Sequence, residues 1–391
     1  MQIGFVIPYF YPALEYGGPP RSAYELAVAL SAAGHDVHVL TTDAGVGRRL
    51  SNVEISQALE TFGGRLKVRY HPTLSNYLSF RHRMFLAPGL TGLIRQEMAG
   101  VDVMHVHEFR TMTSVAAHTA AMAMSTPYIV SPHGGLRKLG KKYLKTIFDS
   151  LWGRMIIRDA AAIAAVSGLE VSQALEMGVP KRKIRVLPNP VRIQDYAKLP
   201  ERGHFRKIQS IGREKIILFL GRLNWIKGAD LAIQACSAIE GPVRILVAGP
   251  DDGQEKELRT LAKNSSAKVT FLGFLGHDEK LAALVDSDVC VVPSRDEIFG
   301  MVTLESLLCN TPVVLSSACG LMGDLEGKVG VLKFQNGDVS DLAKKLTLAL
   351  ENVDLYRSLE ETKKFICSQF STDSVANAAE SVYKEIAEAK H

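Results

Sequence analysis

The chain has 391 residues, 47 % hydrophobic and 22 % charged, a globular composition that excludes disordered, collagen-like and coiled-coil classes. Its length favours two domains, at roughly 100–200 residues each. The net charge of +5 is uneven: residues 1–192 hold 22 Lys+Arg against 13 Asp+Glu, and the remainder 24 against 28, so +9 and −4 make the total. A basic first half suits an anionic substrate, a nucleic acid or a membrane surface. No apolar run reaches the roughly 18 residues of a membrane span. The opening MQIGFVIPYFYP lacks the basic region and cleavage site of a secretory signal, so a soluble cytoplasmic protein is expected. Cys236, Cys290, Cys309, Cys319 and Cys367 form no CxxC and have mostly apolar neighbours, which predicts buried thiols in a reducing compartment.

Short apolar, β-branched runs alternate with helical patterns along the chain. Strands are predicted at 3–8, 37–42, 67–70, 101–107, 128–131, 161–166 and 184–187. A helix is predicted over 21–33, where Tyr24, Leu26, Ala27, Leu30 and Ala33 recur at helical spacing. Leu187-Pro188-Asn189-Pro190 closes this series, and a polar, strand-poor stretch follows, including 198–215. A second series opens at 216–220 and continues with strands at 243–248, 269–272, 289–292, 312–315 and 329–332. Helices are predicted between them at 229–239, 254–263, 279–285 and 301–308. Such alternation means βαβ units and parallel sheets buried on both faces. The restart predicts two doubly wound α/β domains facing across a cleft, each binding ligands beyond the carboxyl ends of its strands. The final helix, 371–389, could complete either domain.

Candidate chemistry falls at strand ends. Gly17-Gly18-Pro19-Pro20-Arg21 lies between the first strand and its helix, where glycines let backbone N–H groups approach an anion; they serve equally as a turn. No GxGxxG follows any strand, which argues against a nicotinamide dinucleotide. His105 and His107 alternate on one strand face without a third metal ligand. His133, in Ser131-Pro132-His133-Gly134-Gly135, can reach a substrate hydroxyl. The stretch 137–158 has seven basic residues and one acidic, with Tyr143, Leu144, Ile147, Phe148, Leu151 and Trp152 at helical spacing. It reads either as a helix meeting an anionic membrane or acceptor, or as a core-facing stripe with a solvated basic back.

In the second series, Gly221-Arg222-Leu223-Asn224-Trp225-Ile226-Lys227-Gly228 leaves a strand with two cations suited to phosphate oxygens, next to a helix amino terminus. Glu297 stands in the loop after the run DVCVVPS, and Glu305 lies five residues beyond Gly300, about 7.5 Å along a helix at 1.5 Å per residue. Two carboxylates flanking first-turn N–H groups match a ligand whose hydroxyls flank phosphates, the layout of a nucleotide sugar.

These stretches together resemble the GT-B glycosyltransferases, and specifically the retaining enzymes of glycosyltransferase family four. The resemblance rests on FLGRLNWIKG, VVPSRDEIFGMVTLES and VLPNPV, supported by EYGGPPRSAYELAVALSAAGHDVHVLT and FLGFL. Ile298, Pro190 after Asn189, and LMGDLEGKVG after Gly320 depart from the family pattern. The resemblance implies an acceptor-side domain of residues 1–191 plus about 372–391, to which the last helix crosses back, and a nucleotide-sugar domain of residues 192–371. It implies that Arg222 and Lys227 hold the donor diphosphate and Glu297 the sugar hydroxyls. The N–H groups around Phe299, Gly300, Met301 and Val302 would hold sugar and phosphate oxygens, with Leu275 beside them. Glu305 would bind the ribose, Gly17 and Gly18 would approach the phosphates, and His133 would sit near the anomeric carbon. The expected reaction is metal-free, cofactor-free, retaining transfer of a hexose to a saccharide or lipid-linked saccharide, with UDP preferred over GDP. A nucleotide-sugar epimerase and a non-catalytic nucleotide-sugar-binding module are the alternatives. Nucleic acid is disfavoured, because the basic residues lack interleaved aromatics on a recognisable module.

Overall fold

A computed structural model describes residues 1–137, 140, 142–352 and 358–389. Lys138, Leu139 and Lys141 of the basic stretch, and the last two residues of the expected first domain, therefore lie outside the described residues. Two compact units form: Met1–Val191 with Phe370–His391, and Arg192–Gln369.

The first unit holds seven strands: β1 (Gln2–Val6), β2 (Asp36–Thr42), β3 (Leu66–His71), β4 (Val103–His107), β5 (Tyr128–Ser131), β6 (Ala162–Ala165) and β7 (Ile184–Val186). Their order is β3-β2-β1-β4-β5-β6-β7, and every neighbouring pair is parallel. The central strands β4, β5 and β6 are buried at every position, which is why they read as continuous apolar runs without alternation. One face packs on the helix Gly18–Ala32, whose first turn tolerates Pro19 and Pro20 because amides there have no intrahelical acceptor. Ala23, Leu26, Ala27 and Leu30 of that helix meet Ile3, Phe5, Val37 and Val39. The C-terminal helix Thr372–Glu388 joins the same cluster through Val375, Ala376, Ala379 and Tyr383. Its entry is tied down by the Val191 N–H donating to the Phe370 carbonyl at 2.7 Å. The other face buries Met98, Met104, Val106 and Ala117.

The second unit holds β8 (Lys215–Leu220), β9 (Val243–Ala248), β10 (Lys268–Gly273), β11 (Val289–Val292), β12 (Val313–Ser316) and β13 (Val331–Phe334), in the order β10-β9-β8-β11-β12-β13. This sheet is also entirely parallel. All thirteen predicted strands are present. The largest shift is at β13, predicted two residues early because Val329 is apolar; Gly330 turns the chain with φ 83° before the strand begins. The polar stretch before β8 is ordered rather than a bare linker. Buried Asp286 accepts from the Gly203 and Arg206 amides, and buried Asp288 accepts from Arg202, Arg206 and the Ile216 amide. Ion-paired carboxylates replace the apolar periodicity there, so hydropathy gave no sign of it.

In each sheet the chain reverses its winding once. β1 lies between β2 and β4, and β8 between β9 and β11. Successive crossovers leave these points in opposite directions, opening a crevice at the carboxyl ends of the strands.

Candidate active site

The second unit's candidates cluster at the carboxyl ends of β8 and β11, the neighbours at its switch point. Beyond β8, the Asn224 side chain accepts the Lys227 N–H at 3.1 Å, curling the chain into a single 3-10 turn before the helix Ala229–Cys236. That turn aims Lys227 across to the loop after β11, where its ammonium donates to the Glu297 carboxylate. The Ser294 hydroxyl donates to the same carboxylate oxygen at 3.3 Å. Two motifs 70 residues apart thus share one contact. Gly228 lets them meet: φ is +73°, and a Cβ there would lie 2.2 Å from the Pro293 carbonyl oxygen. Arg222 is held separately, donating at 2.9 Å to Asp252, which also accepts from Asn224 at 2.7 Å. The two residues expected to hold the diphosphate are each paired with a carboxylate, Lys227 with Glu297 and Arg222 with Asp252.

The 293–300 loop is fixed from below by the chain after β12. Gly320 donates its N–H to the Glu297 carbonyl at 2.7 Å, while Leu321 and the Cys319 thiol donate to the carbonyl of buried Phe299 at 3.3 and 3.1 Å. The departure LMGDLEGKVG thus begins with a residue that positions this loop. Gly300 takes φ +92° and starts the helix Met301–Leu308, so Met301 and Val302 present first-turn amides, half-exposed at the loop. Thr303 sits one position further, its buried hydroxyl without a hydrogen-bond partner. Glu305 is buried and paired with the Lys280 ammonium at 2.8 Å. Leu275 is half-buried, next to Phe274, which is 71 % exposed.

The first unit's candidates lie after β1, β4 and β5. Gly17 caps the helix Gly18–Ala32 with φ +109°, and no atom lies within 4 Å of a Cβ position at Gly17 or Gly18. His133 follows β5 at φ +48°, a left-handed conformation costly for a non-glycine residue. Its Nε2 lies 3.0 Å from His107 Nδ1, and the two rings stack. His107 also stacks on His105, whose nitrogens contact the Tyr383 hydroxyl and Ser131 Oγ, both at 2.7 Å. Among the described residues no group of three or more His, Cys, Asp or Glu could hold a metal ion. All five cysteines are free thiols and four are buried.

Three residues beside His133 escaped the sequence reading. Glu170 is fully buried and accepts the Gly134 N–H at 2.6 Å and the Val166 N–H at 2.9 Å, gripping the His133 loop from behind. Ser167-x-x-Glu170 after a strand is a helix-start signature that could have revealed it. Glu108 accepts from the buried Tyr9 hydroxyl. Arg110 forks Asp149 at 2.8 and 2.9 Å and donates to the Gly135 carbonyl.

Burial sets the electrostatics. It depresses His133 from 6.5 to about 4 and His105 from 6.5 to about 3, and holds His107 well below its usual value, so all three imidazoles are neutral near pH 7. Burial pushes Glu170 up from 4.5 to about 7 against its two amide donors. A depressed histidine contributes stability that is present above 6.5 and lost as pH falls through its folded value. Glu170 acts oppositely: its contribution is present below 4.5 and lost as pH rises through about 7. Chemical denaturation between pH 6.5 and 4 should therefore show the His133→Asn variant with a shallower loss of stability than wild type. The expected difference is up to about 1.4 kcal/mol per pH unit, one proton's worth. Equal slopes would mean that the imidazole is not buried neutral.

Two sheets of doubly wound topology, the second with a cation–carboxylate contact at its switch point, define an α/β protein of the class that binds ligands at the carboxyl ends of its strands. Residues 201–365 match the family described as glycosyl transferases group 1, and residues 17–190 match the glycosyl transferase 4-like domain. Together the two matches span most of the chain, which belongs to the group 1 glycosyltransferases and is an enzyme of that class. The chain is 27 % identical to an uncharacterized glycosyltransferase of Methanocaldococcus jannaschii, with 97 % of each chain covered. It is 25 % identical to a glycogen synthase of Mycobacterium tuberculosis, covering 97 % of this chain and 93 % of that protein. Among solved structures, Anabaena HepE in complex with UDP and glucose superposes with a TM-score of 0.79 at 19 % identity, covering 98 % of this chain and all of the other. Sucrose-phosphate synthase from Thermosynechococcus elongatus gives 0.73 at 19 % identity, with 99 % of each chain covered. The fold is GT-B.

Proposed function

We propose that the protein transfers a hexose from a nucleoside diphosphate sugar, UDP-linked in preference to GDP-linked, to a hydroxyl of a saccharide or lipid-linked saccharide, with retention of anomeric configuration. The observation that carries this reading is the contact between Lys227 and Glu297 at the switch of the second sheet. It brings a phosphate-binding cation and a hydroxyl-binding carboxylate to one point. HepE, a likeness in fold, was solved with UDP and glucose, which supports a UDP-sugar here.

Lys227 and Arg222 are assigned to the diphosphate, Glu297 and the amides of Phe299, Gly300, Met301 and Val302 to the sugar and phosphate oxygens, and Glu305 to the ribose. His133 is assigned to the sugar being transferred, and the amides at Gly17 and Gly18 to anionic oxygens. The bond from the anomeric carbon to the phosphate oxygen breaks while the acceptor oxygen bonds to that carbon on the same face. The acceptor proton passes to the departing phosphate oxygen. Positive charge from Lys227, Arg222 and the first-turn amides meets the leaving group, so the reaction is assigned neither metal nor cofactor. The protein is assigned to the cytoplasm, at the inner membrane face when its acceptor is lipid-linked.

A thermal-shift panel of UDP-, GDP- and ADP-sugars tests the donor, since a ligand at about 100 times its Kd stabilises by about 2.7 kcal/mol. The UDP-sugars should give the largest shift, and no shift with any of them would end the reading. NMR of the product should show retained configuration; an inverted product would remove that part. Incubation with donor alone separates an epimerase, which would isomerise the sugar.

A further inference from the structure

The basic helical stretch carries two apolar faces, and only one is covered. The segments Lys142–Phe148, Asp149–Gly153 and Arg154–Asp159 run on as a continuous spiral, the middle one a π turn. Phe148, Trp152, Ile156 and Ile157 pack on the core beneath β4 and β5. Tyr143, Ile147, Leu151 and Met155 recur every fourth residue, so they line one side of the spiral. These four are 78, 39, 51 and 38 % exposed. Exposed Lys142, Arg154 and Arg158 accompany them. Of the acidic residues on this helix, Asp149 is buried under Arg110, while Asp159 pairs with Arg158 and offsets its charge, which leaves Lys142 and Arg154 as the exposed cations beside the ladder.

A second exposed apolar group lies at the same end of the sheet. Tyr77 and Phe80, 68 and 42 % exposed, stand on the helix Asn76–His82, which ends in Arg81 and His82. The chain after β4 links the two places: Met112 donates its N–H to the Met84 carbonyl at 3.2 Å, and Arg110 forks Asp149. Isolated surface apolar side chains are ordinary, but a four-rung ladder flanked by basic residues is not.

We propose that this ladder is a docking surface for an anionic lipid bilayer, with Tyr143, Ile147, Leu151 and Met155 entering the headgroup–acyl boundary and Lys142 and Arg154 meeting acidic headgroups. The occupant follows from charge. A second copy of this chain would bring the same basic residues against themselves, whereas an acidic leaflet attracts them while the apolar ladder leaves water. The proposal names the partner of the lipid-linked acceptor reading and rests on it for its purpose, but docking is measured without donor or acceptor. Failure of transfer and failure of docking are thus separate results.

The test is flotation of the full chain with phosphatidylcholine vesicles, with and without about 30 % phosphatidylglycerol, a composition chosen to give an acidic surface. Binding should require the anionic lipid and weaken as salt rises. The double substitution Ile147→Ser with Leu151→Ser should lower vesicle affinity at least about tenfold, by removing two apolar side chains from the interface. Arg154→Ser should lower it about fivefold, the worth of one basic residue at an acidic surface. Both changes are at exposed positions, and an unchanged Tm in the absence of vesicles verifies the fold. Equal binding to neutral vesicles, undiminished binding by the double variant, or a self-associated species that the same double substitution dissolves would each overturn the proposal.

Discussion

Replacing Lys227 by alanine is expected to lower kcat by about 10²–10³, the cost of losing one donor aimed at developing negative charge. The ammonium answers two groups in turn. Without ligand it neutralises Glu297, whose carboxylate also accepts from Ser294. With donor bound it is assigned to the diphosphate, which releases Glu297 to sugar hydroxyls. Glu297→Gln should therefore cost less than Lys227→Ala, because an amide still accepts a hydroxyl hydrogen bond. The two effects should fail to add, since each residue is the other's partner, with a coupling of about 1 kcal/mol or more in a double-mutant cycle of kcat/KM. Arg222→Ala is expected to fall in the same direction, since its guanidinium has to leave Asp252 to reach a phosphate. Near-wild-type turnover in Lys227→Ala would remove the residue from the chemistry, and strict additivity would show the Glu297 contact to be idle.

The largest expected effect on stability comes from Gly228→Ala, at more than about 3 kcal/mol, a change in the range reserved for backbone strain and hard overlap. The added Cβ would sit 2.2 Å from the Pro293 carbonyl oxygen in a residue already at φ +73°. Either the turn that carries Lys227 lifts away from the Glu297 loop, or the strand end moves. Gly241→Ala is the matched control, because Gly241 also has a positive φ, +96°, but no atom within 4 Å of its Cβ position. It should cost only about 1 kcal/mol, the conformational part alone. In thermal unfolding, for a unit of this size, about 2–4 °C corresponds to 1 kcal/mol, so the two variants should be clearly resolved. Equal Tm losses would mean that the loop yields freely and that the close approach does not hold the site together.

Both doubly wound sheets were legible because strands buried on both faces leave unbroken apolar runs, and helices between them leave a 3.6-residue period. Val289–Val292 and Met301–Leu308 coincide with their predicted limits, being bounded by Pro293 and Gly300. Less legible were places where polar groups replace hydropathy. Asp286 and Asp288 order a stretch read as a linker, and Glu170 grips the His133 loop through two amides that leave no periodic signal. The basic stretch 137–158 is the instructive case. Its helical spacing allowed either a core-facing stripe or an outward one, and the structure contains both: Phe148 and Trp152 pack inward while Tyr143, Ile147 and Leu151 face out.

The sequence by itself determined the two parallel sheets, the strand ends at which loops carry Arg222, Lys227, His133 and Glu297, and a buried, unlinked role for most of the cysteines. Those follow from local periodicity and turn chemistry, which act over a few residues. Only the tertiary structure decided which of those residues touch. Lys227 reaches Glu297 rather than standing with Arg222, Glu305 is buried on Lys280, and His133 is the outer member of a stack of three neutral imidazoles. The Lys227–Glu297 contact joins the ends of β8 and β11, neighbours in the sheet but not in the chain. The histidine contacts join β4 to the end of β5 across an intervening helix, and Lys280 and Glu305 stand on the helices before and after β11. Spacing along the sequence carries no information about such pairs until the crossovers have placed β8 beside β11 and β4 beside β5.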